Sequence, residues 1–266
     1  MPRSGTTLLQ RLCYHHPQMQ VTKEFGNYGF IGESYFSYMR RTVSRIREIN
    51  GRWRIIGTPG QVPTAFAEKL RFRGANHATN MGVATMHLLR LARQGRGQVT
   101  LSALVAAHKY DSDTRVVGDK LPQYIFMMDR LVELTPGLCR LIIYRDCRDV
   151  TSSYLLMTRT KWSDRPWIHA TDTAEKIARN WVHAIEIMER HVADLFVIRY
   201  EDLVGDPQSE LRRLAEWLDV DPRGFNARRV SDSSVGKYRQ GLTDRELDDV
   251  LQVAGPALKR LKYSLE

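Results

Sequence analysis

Short apolar runs that alternate with amphipathic helical patterns constrain the fold of this chain more than any other feature. Three runs rich in β-branched residues predict buried strands at Arg115 to Gly118, Cys139 to Tyr144 and Leu195 to Ile198. Between the strands, apolar residues recur at spacings of three and four from Ala174 to Met188, which predicts one face of a helix. This alternation indicates an α/β fold with a mostly parallel central sheet and helices on both of its faces.

The length and the spread of turn residues bear on domain organisation. At about 150 residues per domain, the 266 residues suggest one large domain or two small ones. The chain has no internal repeat, low-complexity tract or obvious linker, so we expect a single domain over residues 1–266. Asp206 followed by Pro207 predicts a helix start, because aspartate caps helices and proline is tolerated at the first position.

Several protein classes are excluded by composition. No apolar run approaches the roughly 18 residues that span a bilayer, and none resembles the apolar part of a signal peptide. Three widely spaced cysteines rule out a disulfide framework and any CxxC metal site, and they fit a reducing cytosol. We therefore expect a cytoplasmic protein without a membrane span.

The net charge indicates an anionic partner without identifying it. Forty Lys and Arg against 30 Asp and Glu give a formal charge of +10. Arginine, whose forked donors suit phosphate and sulfate, makes up much of this excess. Nucleic acid, an acidic membrane surface and a small polyanion all remain open on charge alone.

The first anion-binding signal opens the chain. Residues 2–7 form a loop of small residues that runs directly into a helical pattern at residues 8–12. Such a loop brings unpaired backbone N–H groups and the positive end of a helix dipole to one point. An ordinary helix cap is the alternative interpretation of these residues. The loop is not a Walker A motif, because the GxxxxGK[ST] pattern is absent from the chain. The candidate anion ligands are Arg3, Ser4, Gly5, Thr6 and Thr7.

A second signal follows the strand that ends at Tyr144. Arg145 stands at the carboxyl end of this strand, where parallel α/β sheets bind ligands. Ser153 comes eight residues later, about two turns into the predicted helix, within reach of the same anion. A solvated cluster of paired charges is the alternative interpretation.

With both signals present in this order, the sequence resembles the sulfotransferases that use 3′-phosphoadenylyl sulfate (PAPS), with motifs closest to tyrosylprotein-sulfotransferase-like and bacterial members. The resemblance implies a P-loop-like fold in which residues 2–7 bind the 5′-phosphosulfate and Arg145 and Ser153 bind the 3′-phosphate. Tyr200, in a segment similar to the family's RYEDL strand end, is implied to hold the nucleotide. The segment from Ser231 to Lys237, with the helix predicted at Leu242 to Leu261, resembles the part that closes over the donor.

The same resemblance implies two catalytic residues. Lys120 lies in a segment similar to the K-x-P-x-Y segment of carbohydrate sulfotransferases, where the lysine contacts the bridging oxygen or the sulfonate. Glu24 stands at the offset from Arg3 at which tyrosylprotein sulfotransferases carry their catalytic glutamate. A loop carboxylate paired with a neighbouring cation is the alternative for Glu24, and His108 and Asp119 are the rival bases.

The chain departs from the family pattern at two places, and one stretch is unassigned. Only Met1 precedes the loop at residues 2–7, where the family has a core strand. Met157 stands where the tyrosylprotein branch has an arginine for the 3′-phosphate, which leaves Arg148, Arg159 or a smaller set of charges to hold it. Residues 25–110 match no motif of the family, and we expect them to be helical and to lie on the side of the site that binds the acceptor.

These features together predict transfer of a sulfuryl group from PAPS to a hydroxyl of a small-molecule, sugar or similar acceptor, leaving adenosine 3′,5′-bisphosphate (PAP). The reaction is expected to need no metal, and the protein to need no nucleic-acid partner. A P-loop-like kinase or nucleotide hydrolase is one alternative, although the Walker lysine is missing. A non-catalytic nucleic-acid-binding protein is the other, although the basic residues are dispersed.

Overall fold

A computed structural model describes residues 1–23, 27–38, 40–41, 97–108, 113–163 and 166–265. The strands within these ranges are β1 (Met19–Lys23), β2 (Val116–Lys120), β3 (Leu141–Tyr144) and β4 (Phe196–Arg199). The α-helices that we label are α1 (Thr6–Tyr14), α2 (Leu101–His108), α3 (Met128–Leu134), α4 (Cys147–Thr160), α5 (Ala174–Arg190), α6 (Tyr200–Gly205), α7 (Pro207–Leu218), α8 (Tyr238–Gly241) and α9 (Asp244–Arg260). Short 3₁₀ helices cover Asn27–Phe30, Pro122–Met127, Pro166–Ala170, Val192–Asp194, Pro222–Gly224 and Ala227–Arg229.

The described strands pair in parallel. β1 pairs with β2, with Met19 opposite Val116 and Lys23 opposite Lys120. β3 pairs with β4, with Leu141 opposite Phe196. Parallel strands separated by helices confirm the predicted α/β class, and the three predicted strands form within two residues of their expected bounds. β1 was not predicted, because its five residues carry little apolar pattern.

Contacts divide the chain into two compact units. The first comprises residues 1–15, 122–132 and 136–266, and it contains β3, β4, α1 and the helices from α4 onward. The second comprises residues 16–121 and 133–135, and it contains β1, β2 and α2. The single domain over residues 1–266 stays a prediction.

Helices α5 and α9 form much of the core of the first unit. The predicted apolar face of α5 is confirmed, since its periodic residues are buried together with residues of α9. Burying each large aliphatic or aromatic side chain contributes about 1.5–3 kcal/mol, so this face stabilises the core of the first unit. The buried residues are Ile177, Ala178, Trp181, Ile185 and Met188 in α5, and Val250, Ala254, Ala257 and Leu258 in α9.

Local capping residues set where the helices begin. Asp146 caps α4 by accepting a hydrogen bond from the Arg148 N–H at 2.8 Å. Asp206 caps α7 in the same way, with Pro207 at its first position as predicted. Thr243 and Glu246 form a capping box at the start of α9, the helix predicted at Leu242 to Leu261.

Candidate functional site

The loop at residues 2–7 leads into α1 through two left-handed backbone conformations. Arg3 has φ +61° and Gly5, the N-cap of α1, has φ +88°. A positive φ at a residue other than glycine is uncommon and marks a constrained turn. Gly5 is the N-cap and has no side chain that could accept hydrogen bonds from the start of the helix. The first N–H groups of α1 can therefore bind an anion, as the sequence predicts.

Gly5 lies against the ring of Tyr200. A Cβ atom built at Gly5 would approach Tyr200 Cε2 to 2.8 Å and Ile143 Cδ1 to 3.3 Å. Only glycine therefore allows the loop to sit this close to the start of α6. This approach joins two of the predicted ligand segments, the loop and the residue after β4.

Arg145 is held at the end of β3 by contacts on several sides. Trp181 donates a hydrogen bond from Nε1 to the Arg145 carbonyl at 3.0 Å. The Arg145 guanidinium lies over the ring of Tyr200, with Cζ 4.7 Å from the centroid. Its Nη2 pairs with Asp149 at 3.0 Å and also donates to the carbonyl of Ser234. The predicted anion ligand is thus buried and fixed in orientation.

Glu201, which follows β4, is hydrogen-bonded to the segment that follows β3. Its carboxylate accepts hydrogen bonds from the Asp146 N–H at 3.0 Å and from the Tyr263 hydroxyl at 2.8 Å. Arg148 adds to this network, because it pairs with Asp146 and donates to the carbonyl of Ser264 at 2.7 Å. The two strand ends and the C-terminal residues therefore support one another.

Arg3 brings the two anion-binding signals into direct contact. Its Nε and Nη2 atoms donate to the Ser153 hydroxyl oxygen at 3.0 and 2.8 Å. Burial lowers the pKa of the Arg3 guanidinium, Tyr154 opposes this effect, and the positive charge of Arg145 lowers the pKa further. Arginine nevertheless remains protonated at neutral pH. Two cations that repel each other favour a multiply charged anion beside them.

Two buried polar atoms in these same motifs have no hydrogen-bond partner among the described residues. They are the Ser4 hydroxyl oxygen and Arg145 Nε, and these residues are 0% and 6% exposed. Buried polar groups in proteins are nearly always satisfied, so such atoms indicate a missing partner. An anion at this point would supply acceptors to both donors, since a hydroxyl and a guanidinium can each donate to it.

The segment from Ser231 to Lys237 lies partly at the site. Ser234 reaches Arg145, and the N–H of Gly236 donates to Asp149 at 2.9 Å. Ser231 and Lys237 are themselves exposed, and the Ser231 hydroxyl accepts a hydrogen bond from the Ser233 N–H at 3.2 Å. The structure therefore brings the middle of this segment to Arg145, while the two predicted ligands stand at its exposed ends.

The proposed replacements for the arginine absent at Met157 are both engaged with carboxylates. Arg148 pairs with Asp146 at 2.7 Å and lies over the ring of Tyr238. Arg159 pairs with Glu246 at the start of α9. Arg145 is likewise paired with a carboxylate, so all three alternatives for the missing arginine stay predictions.

Of the two predicted catalytic residues, the structure describes Lys120, which belongs to the second unit. Lys120 ends β2, directly opposite Lys23 in the parallel register. Glu24 follows Lys23 in sequence and lies outside the described residues. Of the rival bases, Asp119 precedes Lys120 in β2, and His108 ends α2. The roles of Glu24 and Lys120 stay predictions.

One residue that sequence reasoning did not single out is Asp149. It is 2% exposed, it pairs with Arg145, and it accepts hydrogen bonds from the N–H groups of Gly236 and Tyr238. Asp149 follows Arg145 by four residues, a spacing that suits an ion pair, and this spacing was the available signal. That spacing was equally consistent with an exposed ion pair.

Comparison with known proteins identifies the class of protein that this fold and site define. A model described as "Sulfotransferase family" matches residues 1–223. The chain therefore belongs to the sulfotransferase family. The resemblance predicted from the loop and strand-end motifs is therefore confirmed.

Among curated proteins, the chain is similar to a protein-tyrosine sulfotransferase of Drosophila melanogaster. The two are 24% identical over 230 residues, which cover 83% of this chain and 37% of that protein. The chain therefore spans little more than a third of the length of this relative.

Solved structures of similar fold are also sulfotransferases. The sulfotransferase domain from the curacin biosynthetic pathway matches with a TM-score of 0.57 and 14% identity, covering all of this chain and 96% of that domain. The sulfotransferase from Alicyclobacillus acidocaldarius matches with a TM-score of 0.52 and 16% identity, covering 98% and 91% of the two chains. These likenesses support the sulfotransferase fold.

The described part of the chain has neither a cluster of metal ligands nor a membrane-spanning helix. There, no group of three or more His, Cys, Asp or Glu side chains is arranged to hold a metal ion. The described helices also include none that is long and apolar enough to cross a membrane. Cys13, Cys139 and Cys147 are all free thiols.

Proposed function

We propose that this protein transfers a sulfuryl group from PAPS to a hydroxyl group of its acceptor. The observation that carries the proposal is the pair of hydrogen bonds from Arg3 to Ser153. These two bonds join the segments that resemble the 5′-phosphosulfate and 3′-phosphate elements of the family. PAPS carries anionic groups at both its 5′ and its 3′ position, so a site that binds it needs both of these protein segments.

The residues present fit this donor. The unpartnered Ser4 hydroxyl and Arg145 Nε supply buried donors for anionic oxygens, and the start of α1 supplies backbone N–H groups. Gly5 lets the loop pack closely against Tyr200, where a Cβ atom would clash with the ring. The proposed 5′-side ligands are Arg3, Ser4, Gly5, Thr6 and Thr7; those for the 3′-phosphate and the nucleotide are Arg145, Ser153, Tyr200, Ser231 and Lys237.

The proposed reaction needs a cation for the departing phosphate and a base for the proton of the acceptor hydroxyl. The bound donor supplies an activated sulfuryl group, whose sulfur–oxygen bond to the 5′-phosphate breaks as a bond to the acceptor oxygen forms. Lys120 stabilises the negative charge that develops on the departing phosphate oxygen. Glu24 takes the proton from the acceptor hydroxyl. The protein otherwise acts by holding the reacting groups in line.

An aromatic pair beside Arg3 favours phenols as the first acceptors to test. Tyr154 and Trp162 contact each other at a centroid distance of 5.5 Å, and Arg3 Cζ lies 5.9 Å from the Trp162 ring. The proposed acceptors are hydroxyls of small molecules or sugars. Similarity to a protein-tyrosine sulfotransferase makes a tyrosine-containing peptide the second candidate.

The test is transfer of labelled sulfate from PAPS to a phenol, a sugar and a tyrosine-containing peptide, followed by release of PAP. We expect a sulfated product and undiminished turnover in EDTA, because Arg3, Lys120 and backbone N–H groups neutralise the donor. Failure of all three acceptors together with failure of PAP to bind would contradict the proposal. ATP hydrolysis that EDTA abolishes and Mg²⁺ restores would favour the kinase or hydrolase alternative.

A further inference from the structure

Asp149 contacts both the predicted 3′-phosphate ligand and the segment at its side. Its side chain is 1% exposed, and Oδ2 lies 3.0 Å from Arg145 Nη2. The same oxygen accepts a hydrogen bond from the Gly236 N–H at 2.9 Å, and Oδ1 accepts one from the Tyr238 N–H at 3.0 Å. Both carboxylate oxygens are therefore satisfied by donors that belong to the candidate site.

Most of this segment is exposed to solvent, so the contacts with Asp149 and Arg145 matter for its position. Residues 231–233, Val235 and Lys237 are exposed, so the hydrophobic core contributes little to their position. Arg145 adds a contact of its own, since it donates to the Ser234 carbonyl. The ion pair between Arg145, which follows β3, and Asp149, in the first turn of α4, thus holds residues 234, 236 and 238.

The geometry of the segment suits this anchor. Gly236 has φ +72°, a left-handed turn that an L residue with a side chain rarely adopts. Tyr238 is buried, and its ring lies beneath the Arg148 guanidinium at 4.4 Å. Lys237 stands between the two anchored N–H groups, so its backbone position follows from Asp149.

We infer that Asp149 is a positioning residue, which fixes Arg145 and the Ser231–Lys237 segment as one anion-binding unit. The inference rests on the proposed function, since it concerns recognition of the 3′-phosphate. A carboxylate near a phosphate repels it, so charge alone predicts that removing Asp149 tightens anion binding. Positioning predicts the opposite sign, because Arg145 and the segment lose their common anchor.

The main test compares Asp149→Asn with the unaltered protein for binding of PAP and AMP. Asparagine keeps the size of aspartate but removes the charge and one of the two acceptors. We expect PAP to bind about ten- to a hundredfold more weakly, since charge-assisted hydrogen bonds to the 3′-phosphate are lost. AMP, which lacks that phosphate, should bind nearly as before.

Hydrogen exchange provides a readout that is independent of any ligand. In Asp149→Asn, the amides of Gly236 and Tyr238 should exchange faster, while those of α5 and α9 stay protected. Glu189→Gln is the matched control, because it breaks a carboxylate–arginine pair with Arg260, at 2.8 Å, on the surface between α5 and α9. This control should change neither the exchange of residues 231–241 nor the preference for PAP.

A second variant keeps the inference testable if Asp149→Asn does not fold. Gly236→Ala strains the turn without removing the buried carboxylate, and its Cβ would meet only the end of the Arg239 side chain. Gly137→Ala imposes similar backbone strain, at φ +77°, in open space elsewhere. Gly236→Ala should weaken PAP selectively, and Gly137→Ala should not.

The outcomes separate this inference from the proposed function. If the unaltered protein does not prefer PAP to AMP, the proposed function fails. If it does prefer PAP and the foldable Asp149 or Gly236 variant keeps that preference, or binds PAP more tightly, Asp149 is not a positioning residue.

Discussion

Arg3 donates two hydrogen bonds to the hydroxyl oxygen of Ser153, although 150 positions separate the two residues in the chain. A serine hydroxyl carries two acceptor lone pairs and one proton to donate. With Arg3 bound to its oxygen, Ser153 retains its proton as the remaining hydrogen-bond donor. A ligand bound at this hydroxyl must therefore accept a hydrogen bond, as the oxygens of phosphate and sulfate do.

This relationship leads to a prediction about ligand preference. PAP should stabilise the protein against heat far more than AMP, because Arg145 and Ser153 recognise the additional phosphate. Ser153→Ala should reduce PAP affinity about tenfold or more, as expected for loss of a charge-assisted hydrogen bond of about 1.5–3 kcal/mol. Calorimetric titration with both nucleotides measures the effect.

The control for this prediction is Ser209→Ala, the same substitution at an exposed position of α7. It should leave the affinity for both nucleotides unchanged. Arg145→Lys is a better probe of the arginine than alanine, because alanine would leave the Asp149 carboxylate buried without its cation. Equal stabilisation by AMP and PAP would remove the basis for assigning Arg145 and Ser153 to the 3′-phosphate.

The different roles proposed for Glu24 and Lys120 give a second prediction. Glu24→Gln keeps its size but cannot accept a proton, so it should lower kcat about 10²–10⁴-fold at nearly unchanged donor affinity. Lys120→Ala removes a cation that matters most as the phosphate departs, so it should also act mainly on kcat. Steady-state kinetics with acceptors of graded acidity separate the two effects.

An acidic phenol, already partly ionised at the assay pH, should restore much of the activity of Glu24→Gln and little of that of Lys120→Ala. Near-full activity of Glu24→Gln with a poorly acidic alcohol would show that Glu24 is only a loop carboxylate. Asp119 and His108 would then be the next bases to examine.

Gly5 gives a third prediction, based on steric fit. Gly5→Ala would place a methyl group against the Tyr200 ring at a φ of +88°. Left-handed backbone costs about 1–2 kcal/mol for an L residue, and overpacking adds about 1–3 kcal/mol. We expect a fall of several degrees in the midpoint of thermal unfolding together with weaker PAP binding.

Gly205→Ala is the matched control for Gly5→Ala. Gly205 ends α6, and a Cβ atom there would meet nothing within 4 Å. Its substitution should leave the thermal midpoint and PAP binding nearly unchanged. Comparable effects from both substitutions would mean that Gly5 has no special role in the loop.

Glu246 provides a prediction about pH. Burial opposes ionisation of Glu246, but hydrogen bonds from the Thr243 backbone and the Arg159 guanidinium outweigh this effect and lower its pKa. A carboxyl whose pKa falls on folding stabilises the protein above its unfolded-state pKa. That contribution is lost as the pH falls through the lowered value.

The corresponding experiment compares the unaltered protein with Glu246→Gln between pH 7 and pH 3. At pH 7 the substitution should cost about 0.5–1 kcal/mol of the free energy of unfolding, in line with a helix cap and a surface ion pair. The difference should shrink toward zero as Glu246 becomes protonated. Glu216→Gln, at an exposed position of α7, should show no such dependence on pH.

The sequence by itself determined the elements whose signal is local. The apolar period of residues 174–188, the Asp206–Pro207 helix start and the β-branched runs at β2, β3 and β4 each report burial or capping within a few residues. The order of the loop at residues 2–7 and the Arg145 segment also predicted the sulfotransferase family. Short-range patterns suffice for these features because backbone conformation and side-chain burial repeat along the chain.

Only the tertiary structure decided which distant residues meet. No spacing in the sequence relates Arg3 to Ser153, Gly5 to Tyr200, or Asp149 to the amides at 236 and 238. Asp149 looks in sequence like half of an exposed ion pair, but packing buries it and turns it into an acceptor for the backbone of a distant segment. Contacts of this kind depend on how strands and helices stack, and a linear pattern does not encode that stacking within a few residues.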